Sequence, residues 1–308
     1  MPDKNLTVSP APHIQSTQTT QKIMYIVALS LLPAGIAGIY IFGLCSLKVI
    51  VLSMLSCVVS EAVFLRFRKK DPKAVLDGSA LLTGLLLAYN LPPDTPFWIP
   101  IIGGIVSIVI GKQIFGGLGH NIFNPALVGR VFLQISWPVY MTTWKNPRWA
   151  VDAVSTATPL AREGARSFSY MDLFLGNHGG CIGEVCILAL LIGAAILLFT
   201  KIISFHVPGS YIGTVLVLSL IFKENFMFHL LAGGLVLGAF FMATDYVTCP
   251  LTKKGKIIFG IGCGVLTVLI RLKGGYPEGV SYAILFMNAV VPIIDRYTKT
   301  RKYGFVKK

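Results

Sequence analysis

The chain is patterned in long apolar blocks rather than in the strict alternation of a half-buried strand. Ten apolar runs stand out: Met24–Leu44, Leu47–Leu65, Gly78–Leu91, Phe97–Gly111, Ile122–Trp137, Val185–Thr200, Tyr211–Phe222, Phe226–Ala243, Lys256–Ile270 and Val280–Ile294. A membrane-spanning helix needs about 20 apolar residues, and several of these runs are shorter. Short runs interrupted by glycine point to tilted, broken or re-entrant helices around an internal site. The pattern predicts an all-α polytopic membrane protein with about ten transmembrane helices.

Between the runs lie segments of different character. Residues 1–22 are polar and low in apolar content, as in a disordered tail. They precede a first transmembrane half (23–137), a long hydrophilic loop (138–184), a second transmembrane half (185–296) and a basic tail (297–308). The segment Ile102-Gly103-Gly104-Ile105-Val106 is echoed by Ala232-Gly233-Gly234-Leu235-Val236. Each is followed by a polar stretch and an X-Pro helix start, Asn124-Pro125 and Cys249-Pro250. Such an echo is what a two-half internal repeat leaves in a sequence.

Composition sharpens this. Of the 308 residues, 54% are hydrophobic and 13% charged, and the mean hydropathy is +0.72. A soluble domain carries roughly 25% charged residues, so the surplus apolar surface needs lipid around it. The net charge of +14 is not a nucleic-acid footprint, because no aromatic–basic module accompanies it. The charges fall between the apolar runs instead. With the N-terminus placed in the cytoplasm, alternating segments put about two thirds of the 27 Lys and Arg residues inside, as the positive-inside rule requires. Both termini are then cytoplasmic and the loop 138–184 is extracytoplasmic, which for a bacterial chain means the inner membrane. None of the six cysteines forms a CxxC pair, so zinc and iron–sulfur sites lack support. Cys181 and Cys186 are either a disulfide or two buried thiols at a helix start.

The loop contains Asp152-Ala153-Val154-Ser155-Thr156-Ala157-Thr158-Pro159. Pro159 holds Thr158 toward an extended backbone, and small neighbours leave its hydroxyl open. Taken alone, this is an ordinary Ser/Thr turn before a proline. The spacing Asp-x-x-Ser-x-Ala-Thr resembles the acceptor motif for covalent flavinylation. In that motif a separate flavin transferase joins FMN through its phosphate to the final threonine. The matching positions are Asp152, Ser155, Ala157 and Thr158, with Thr156 where the motif usually has glycine.

Further motifs run in the same order. They are Asp77-Gly78-Ser79-Ala80-Leu81-Leu82-Thr83-Gly84, Gly119-His120-Asn121-Ile122-Phe123-Asn124-Pro125-Ala126, Met242-Ala243-Thr244-Asp245, Gly274-Gly275-Tyr276-Pro277-Glu278-Gly279 and Met287-Asn288-Ala289. From about Met24 to Gly304 the chain resembles the family of Rnf complex D subunits, which also holds the B subunit of the sodium-translocating NADH:quinone reductase. The resemblance implies a urea-channel-like fold and a membrane complex that passes electrons between ferredoxin and NAD while moving Na⁺ or H⁺. It also implies partner subunits that carry a second attached flavin and iron–sulfur centres, maturation by a flavin transferase, and a lipid environment. It allows a second, non-covalent flavin (riboflavin) nearer Asn124.

Threonine is a poor nucleophile at neutral pH and needs a base or a metal-bound phosphate supplied by another protein. A tether fixes the ring at a high effective concentration, and flavin accepts one or two electrons, so it joins one-electron carriers in a chain. Trp137, Tyr140, Trp144, Trp149 and Gly274–Gly279 are candidate neighbours, although aromatics at an interface ordinarily serve as belt anchors.

Other residues carry two readings. Asn124-Pro125 is an N-cap with proline at the first helical position, either a tight turn or an anion-binding helix start. The glycines Gly116, Gly117 and Gly119 before it let the chain dip into the membrane. Arg130 lies inside an apolar run, where a charge marks function unless it snorkels or pairs structurally. Glu61, Asp77, Asp245 and Asp295 sit near inner helix ends as solvated carboxylates or cation-path residues, with Asp245 the strongest candidate for an ion path. His120 reads as a hydrogen-bonding core residue. No GxGxxG opens a βαβ unit, so isolated nicotinamide chemistry is not expected. The competing function is a small-solute channel or transporter without redox activity, to which the loop motif contributes nothing.

Overall fold

The computed structural model describes residues 18–69, 72–149, 169–274 and 279–299. Among them the regular elements are all helices. In the first half these are α1 (Thr20–Phe42), α2 (Leu44–Phe67), α3 (Ser79–Tyr89), α4 (Trp98–Ile108), α5 (Pro125–Ser136) and the short α6 (Pro138–Thr142). The short α7 (Tyr170–Leu175) leads into the second half. That half contains α8 (Ile187–Phe199), α9 (His206–Ile221), α10 (Phe226–Leu231), α11 (Leu235–Leu237), α12 (Lys253–Lys273) and α13 (Val280–Tyr297). All ten apolar runs have helical counterparts. Helices α1, α2, α12 and α13 are long and apolar enough to cross a membrane, and four shorter apolar helices accompany them.

The short helices are explained by their ends. Helix α3 starts behind left-handed Gly78, where the Asp77 carboxylate takes the Ser79 backbone N–H at 2.8 Å. Helix α4 runs on into a π-helical turn, Val109–Gln113, and α11 runs on into a second one, Gly238–Met242. The two segments that echo each other in sequence thus share a structural device, a π turn that widens the backbone, but only Asn124-Pro125 starts the next helix, because α12 begins at Lys253 behind an N-cap at Thr252 rather than at Cys249-Pro250. They differ at the glycines. Gly103 and Gly104 stay helical in α4, whereas Gly233 takes φ +73° and breaks α10 from α11.

Packing relies on small residues, as in other membrane bundles where lipid removes the hydrophobic drive between helices. Helix α1 lies against α8 and α9 against α12. A Cβ on Gly193 would stand 2.1 Å from the Ser30 carbonyl, and one on Gly260 would stand 1.9 Å from the Ser210 hydroxyl. The loop before α8 is pinned to the end of α3, where Ile182 and Gly183 donate their N–H groups to the Leu91 and Tyr89 carbonyls. Large apolar side chains remain outside on α2 at Leu47, Val51, Leu55, Val59 and Val63, a one-sided stripe that suits lipid.

Candidate functional site: a cavity between the two halves

A cavity of about 740 Å³, its open mouth included, lies between the halves. The first half lines it with the start of α1, Ser79 and Thr83 of α3, Lys112 of the first π turn, and Asn121, Asn124 and Pro125. The second half contributes Leu197, Ile202, Phe241, Thr244, Asp245 and Tyr246. Its walls are mostly apolar, with a few polar groups converging, the usual make-up of a small-molecule site.

Lys112 is the charged centre of one wall. Its Nζ donates to Glu61 Oε1 and to Ser79 Oγ, both at 2.6 Å. The Ser79 hydroxyl donates onward to Asp77 Oδ1 at 2.6 Å, and Gln113 Nε2 also reaches Glu61 Oε1 at 2.6 Å. The side chains of Lys112 and Glu61 are 2% and 4% exposed. An unpaired ion there would cost several kcal/mol, so each requires the other. The π turn lets two consecutive residues, Lys112 and Gln113, both meet α2. Glu61 is therefore not a solvated interfacial carboxylate but half of a buried pair. Asp77 caps α3.

Asparagines join the halves behind the cavity. Asn124 caps α5, accepting from the Ala126 N–H at 3.1 Å and donating to the Met242 carbonyl at 3.3 Å. The Asn288 amide, oriented to satisfy both of its ends, donates to the Thr248 and Ile284 carbonyls and accepts from the Asn124 N–H at 3.1 Å. The N–H groups of residues 124 and 126 are thus already engaged by protein, which favours the tight-turn reading of this helix start. Gly116, Gly117 and Gly119 all take positive φ before it. His120 is exposed, not a core residue, because this glycine-rich bend turns it outward.

Asp245 does line the cavity. Its carboxylate accepts from the Thr248 hydroxyl at 3.1 Å and from the backbone N–H groups of Tyr246 and Val247, while burial pushes its pKa up. It holds its own turn together. Asp295 accepts from the Leu251 N–H at 3.2 Å.

Arg130 is buried and donates to Asn90 Oδ1. It pairs inside the protein and does not snorkel, since the end of α3 supplies an acceptor. Asn90 also reaches Met242 Sδ at 3.7 Å, so this network also ties the two halves. Cys181 is a buried free thiol beside it, and Cys186 is free and partly exposed, the thiol alternative of the two. Burial lowers the His178 pKa in the same loop.

Asp152, Ser155, Ala157 and Thr158 lie outside the described residues, as do residues 275–278. Of the aromatic candidates, Trp137 and Tyr140 meet Trp98 edge-on with centroids 5.1 and 5.6 Å apart, Trp144 is buried, and Trp149 leans on Tyr40 at 5.8 Å. The Lys112–Glu61 pair is the feature that sequence reasoning missed. Lys112 falls one residue past the run Phe97–Gly111, so the apolar pattern reads it as a charge of a cytoplasmic segment and not as a partner for Glu61.

Comparison with known proteins fits this architecture. The model of the "NQR2, RnfD, RnfE family" matches residues 7–304. The D subunit of the Na(+)-translocating ferredoxin:NAD(+) oxidoreductase complex of Acetobacterium woodii is 48% identical, covering 100% of this chain and 98% of that protein. The D subunit of the proton-translocating ferredoxin:NAD(+) oxidoreductase complex of Clostridium ljungdahlii is 47% identical over 98% of this chain and 97% of its own. The D subunit of an ion-translocating oxidoreductase complex from Stutzerimonas stutzeri is 38% identical over 93% of this chain and 92% of its own. A match along nearly the whole length, on an all-helical frame with several membrane-spanning helices, places this chain in the NQR2, RnfD, RnfE family.

Proposed function

We propose that this chain is a flavin-carrying membrane subunit of an ion-translocating oxidoreductase complex of the ferredoxin:NAD type. It relays electrons and is not catalytic alone. The observation that carries this reading is the acceptor motif Asp152-x-x-Ser155-x-Ala157-Thr158 in a chain that is 48% identical, end to end, to a relative named for that activity. In this reading a flavin transferase esterifies FMN to Thr158 on the extracytoplasmic side, where a second flavin-carrying subunit exchanges electrons with it. Iron–sulfur subunits complete the chain. Both termini are cytoplasmic.

The inner cavity is proposed to hold a second, non-covalent flavin of the riboflavin type. Asn124 stands in its wall, and its few polar groups, donors and acceptors both, sit in an apolar frame. Na⁺ or H⁺ is the ion moved, and Asp245 is retained as a candidate on its path. Relatives named for sodium and for protons are 48% and 47% identical to this chain, so overall similarity does not choose between the two ions.

The test is in-gel fluorescence of the denatured chain made together with the transferase. Fluorescence should vanish in Thr158→Ala, and intact mass should report one FMN-phosphoryl adduct on the wild type and none on the variant. Fluorescence that persists in Thr158→Ala removes the assignment. The broken helix α10–α11 and the cavity also suit a small-solute channel. That reading requires solute flux into liposomes holding the purified chain and no bound flavin.

A further inference from the structure

The space between the halves ends at a charge. Leu86 and Ala126 are the lining residues farthest along α3 and α5. One turn on, the same two helices carry Asn90 and Arg130, both buried. The Arg130 guanidinium donates to Asn90 Oδ1. Asn90 Nδ2 donates to the Leu86 carbonyl at 2.7 Å and reaches Met242 Sδ in the other half at 3.7 Å. Polar groups continue beyond this bridge. Cys181 Sγ donates to the Asn90 carbonyl at 3.3 Å, and Glu184 Oε1 accepts from the Cys181 N–H at 3.3 Å. Glu184 Oε2 is buried without a hydrogen-bond partner among the described residues. It lies over Gly234, where a Cβ would stand 2.5 Å from it, in the break between α10 and α11. A column of polar groups thus runs between the halves from the cavity to the helix break, and Arg130 stands across it.

A fixed cation in such a column repels mobile ones. At about 6 Å and an effective dielectric of about 20, one elementary charge disfavours a like charge about a hundredfold. Glu184 opposes this field. Arg271 adds to it, since its guanidinium holds the His229 and Ala232 carbonyls at the same break. One carboxylate against two guanidinium groups leaves the column positive. Lys112 is offset by Glu61, and Asp245 lies on the cavity wall, short of Arg130. We infer that Arg130 is an electrostatic barrier that keeps cations from passing between the two halves of this chain. A complex that translocates ions requires such a barrier, because a leak would run down the gradient it builds. The barrier lies beyond the cavity and does not depend on what fills it.

The experiment uses the full chain, dialysed in detergent until it holds no non-covalent flavin, then reconstituted in liposomes that enclose a bulky Na⁺-sensitive dye. The wild type should admit Na⁺ no faster than liposomes without protein. Arg130→Gln removes the charge, keeps most of the bulk and still offers a donor to Asn90. With Glu184 left as the nearest charge and water able to enter a polar site, Na⁺ entry should rise about tenfold or more. Arg130→Lys keeps the charge and should stay closed. Arg130→Ala takes the place of Arg130→Gln if that variant fails to fold, and the same rise is expected. Na⁺ entry at the wild-type rate in the uncharged variant overturns the inference. So does an Arg130→Lys chain that leaks as fast as the uncharged one, since the charge would then not be what closes the column.

Discussion

Asp245 shows how a side chain that a motif singles out is also tied into its local structure. Its position after Met242-Ala243-Thr244 marks it as an ion-path candidate, yet the carboxylate is occupied by the Thr248 hydroxyl and two backbone N–H groups of its own turn. Burial, the dominant effect, raises its pKa above the ordinary carboxylate value. The folded state then holds a proton that the unfolded state releases, and stability falls as pH rises from about 4 through the raised value. Asp245→Asn keeps an acceptor for the turn and removes the ionisation. The variant should melt higher than wild type at pH 7. The gap should close below about pH 4, where both proteins are neutral at this position. Thermal unfolding in detergent across that range measures it, and a gap that widens toward acid would contradict the assignment of burial as the cause. The Lys112–Glu61 pair was not legible in this detail, because its partners are 51 positions apart and hydropathy does not report which buried charges meet.

The elements were legible wherever local chemistry decided them. Asn124-Pro125 predicted the start of α5, and Asn124 does cap it. The Gly-Gly echo predicted two related segments, and each carries a π turn. The π turns themselves left no signal in the apolar pattern, since the extra residue per turn is set by what the widened backbone packs against. Nor could composition say that one Gly-Gly pair would stay helical while the other broke its helix. Arg271 donates to the His229 and Ala232 carbonyls at 2.6 and 3.2 Å and so satisfies the acceptors that the second break releases. The glycines of the long helices are legible in a different way, as contact points. Gly193 lets α8 lie on the Ser30 carbonyl of α1, leaving no room for a methyl group. Gly193→Ala forces the two helices apart, and overpacking of this kind costs about 1–3 kcal/mol. Gly213 in α9 has nothing within 4 Å of where its Cβ would stand. Gly213→Ala should be neutral or stabilising by up to ~1 kcal/mol through helix propensity. Opposite shifts in melting temperature for these two chemically identical substitutions are expected in the same detergent. Equal shifts would refute the packing account.

At the scale of the whole molecule the charge pattern and the contacts agree on two ends. Gln21 and Tyr25 reach the Leu76 carbonyl, Arg68 the Gln113 carbonyl, and Tyr246 the Ile202 carbonyl. These are the segments that the distribution of Lys and Arg assigns to the cytoplasm. At the other end the Arg148 N–H meets the Ile41 carbonyl, Lys145 pairs with Asp94, and Tyr170 contacts Asn225. The loop that holds the acceptor motif departs from this second end, since its described flanks, Trp149 and Ser169, adjoin Arg148 and Tyr170. If the loop is extracytoplasmic, a cysteine inside it meets reagents that cannot cross the bilayer. With the six native cysteines replaced by alanine, Ala153→Cys should react with a membrane-impermeant maleimide in intact cells, and Lys201→Cys should react only after the cells are opened. A loop position that labels only in opened cells would put Thr158 on the cytoplasmic side. The flavin at its hydroxyl would then face the wrong compartment for the electron exchange proposed above.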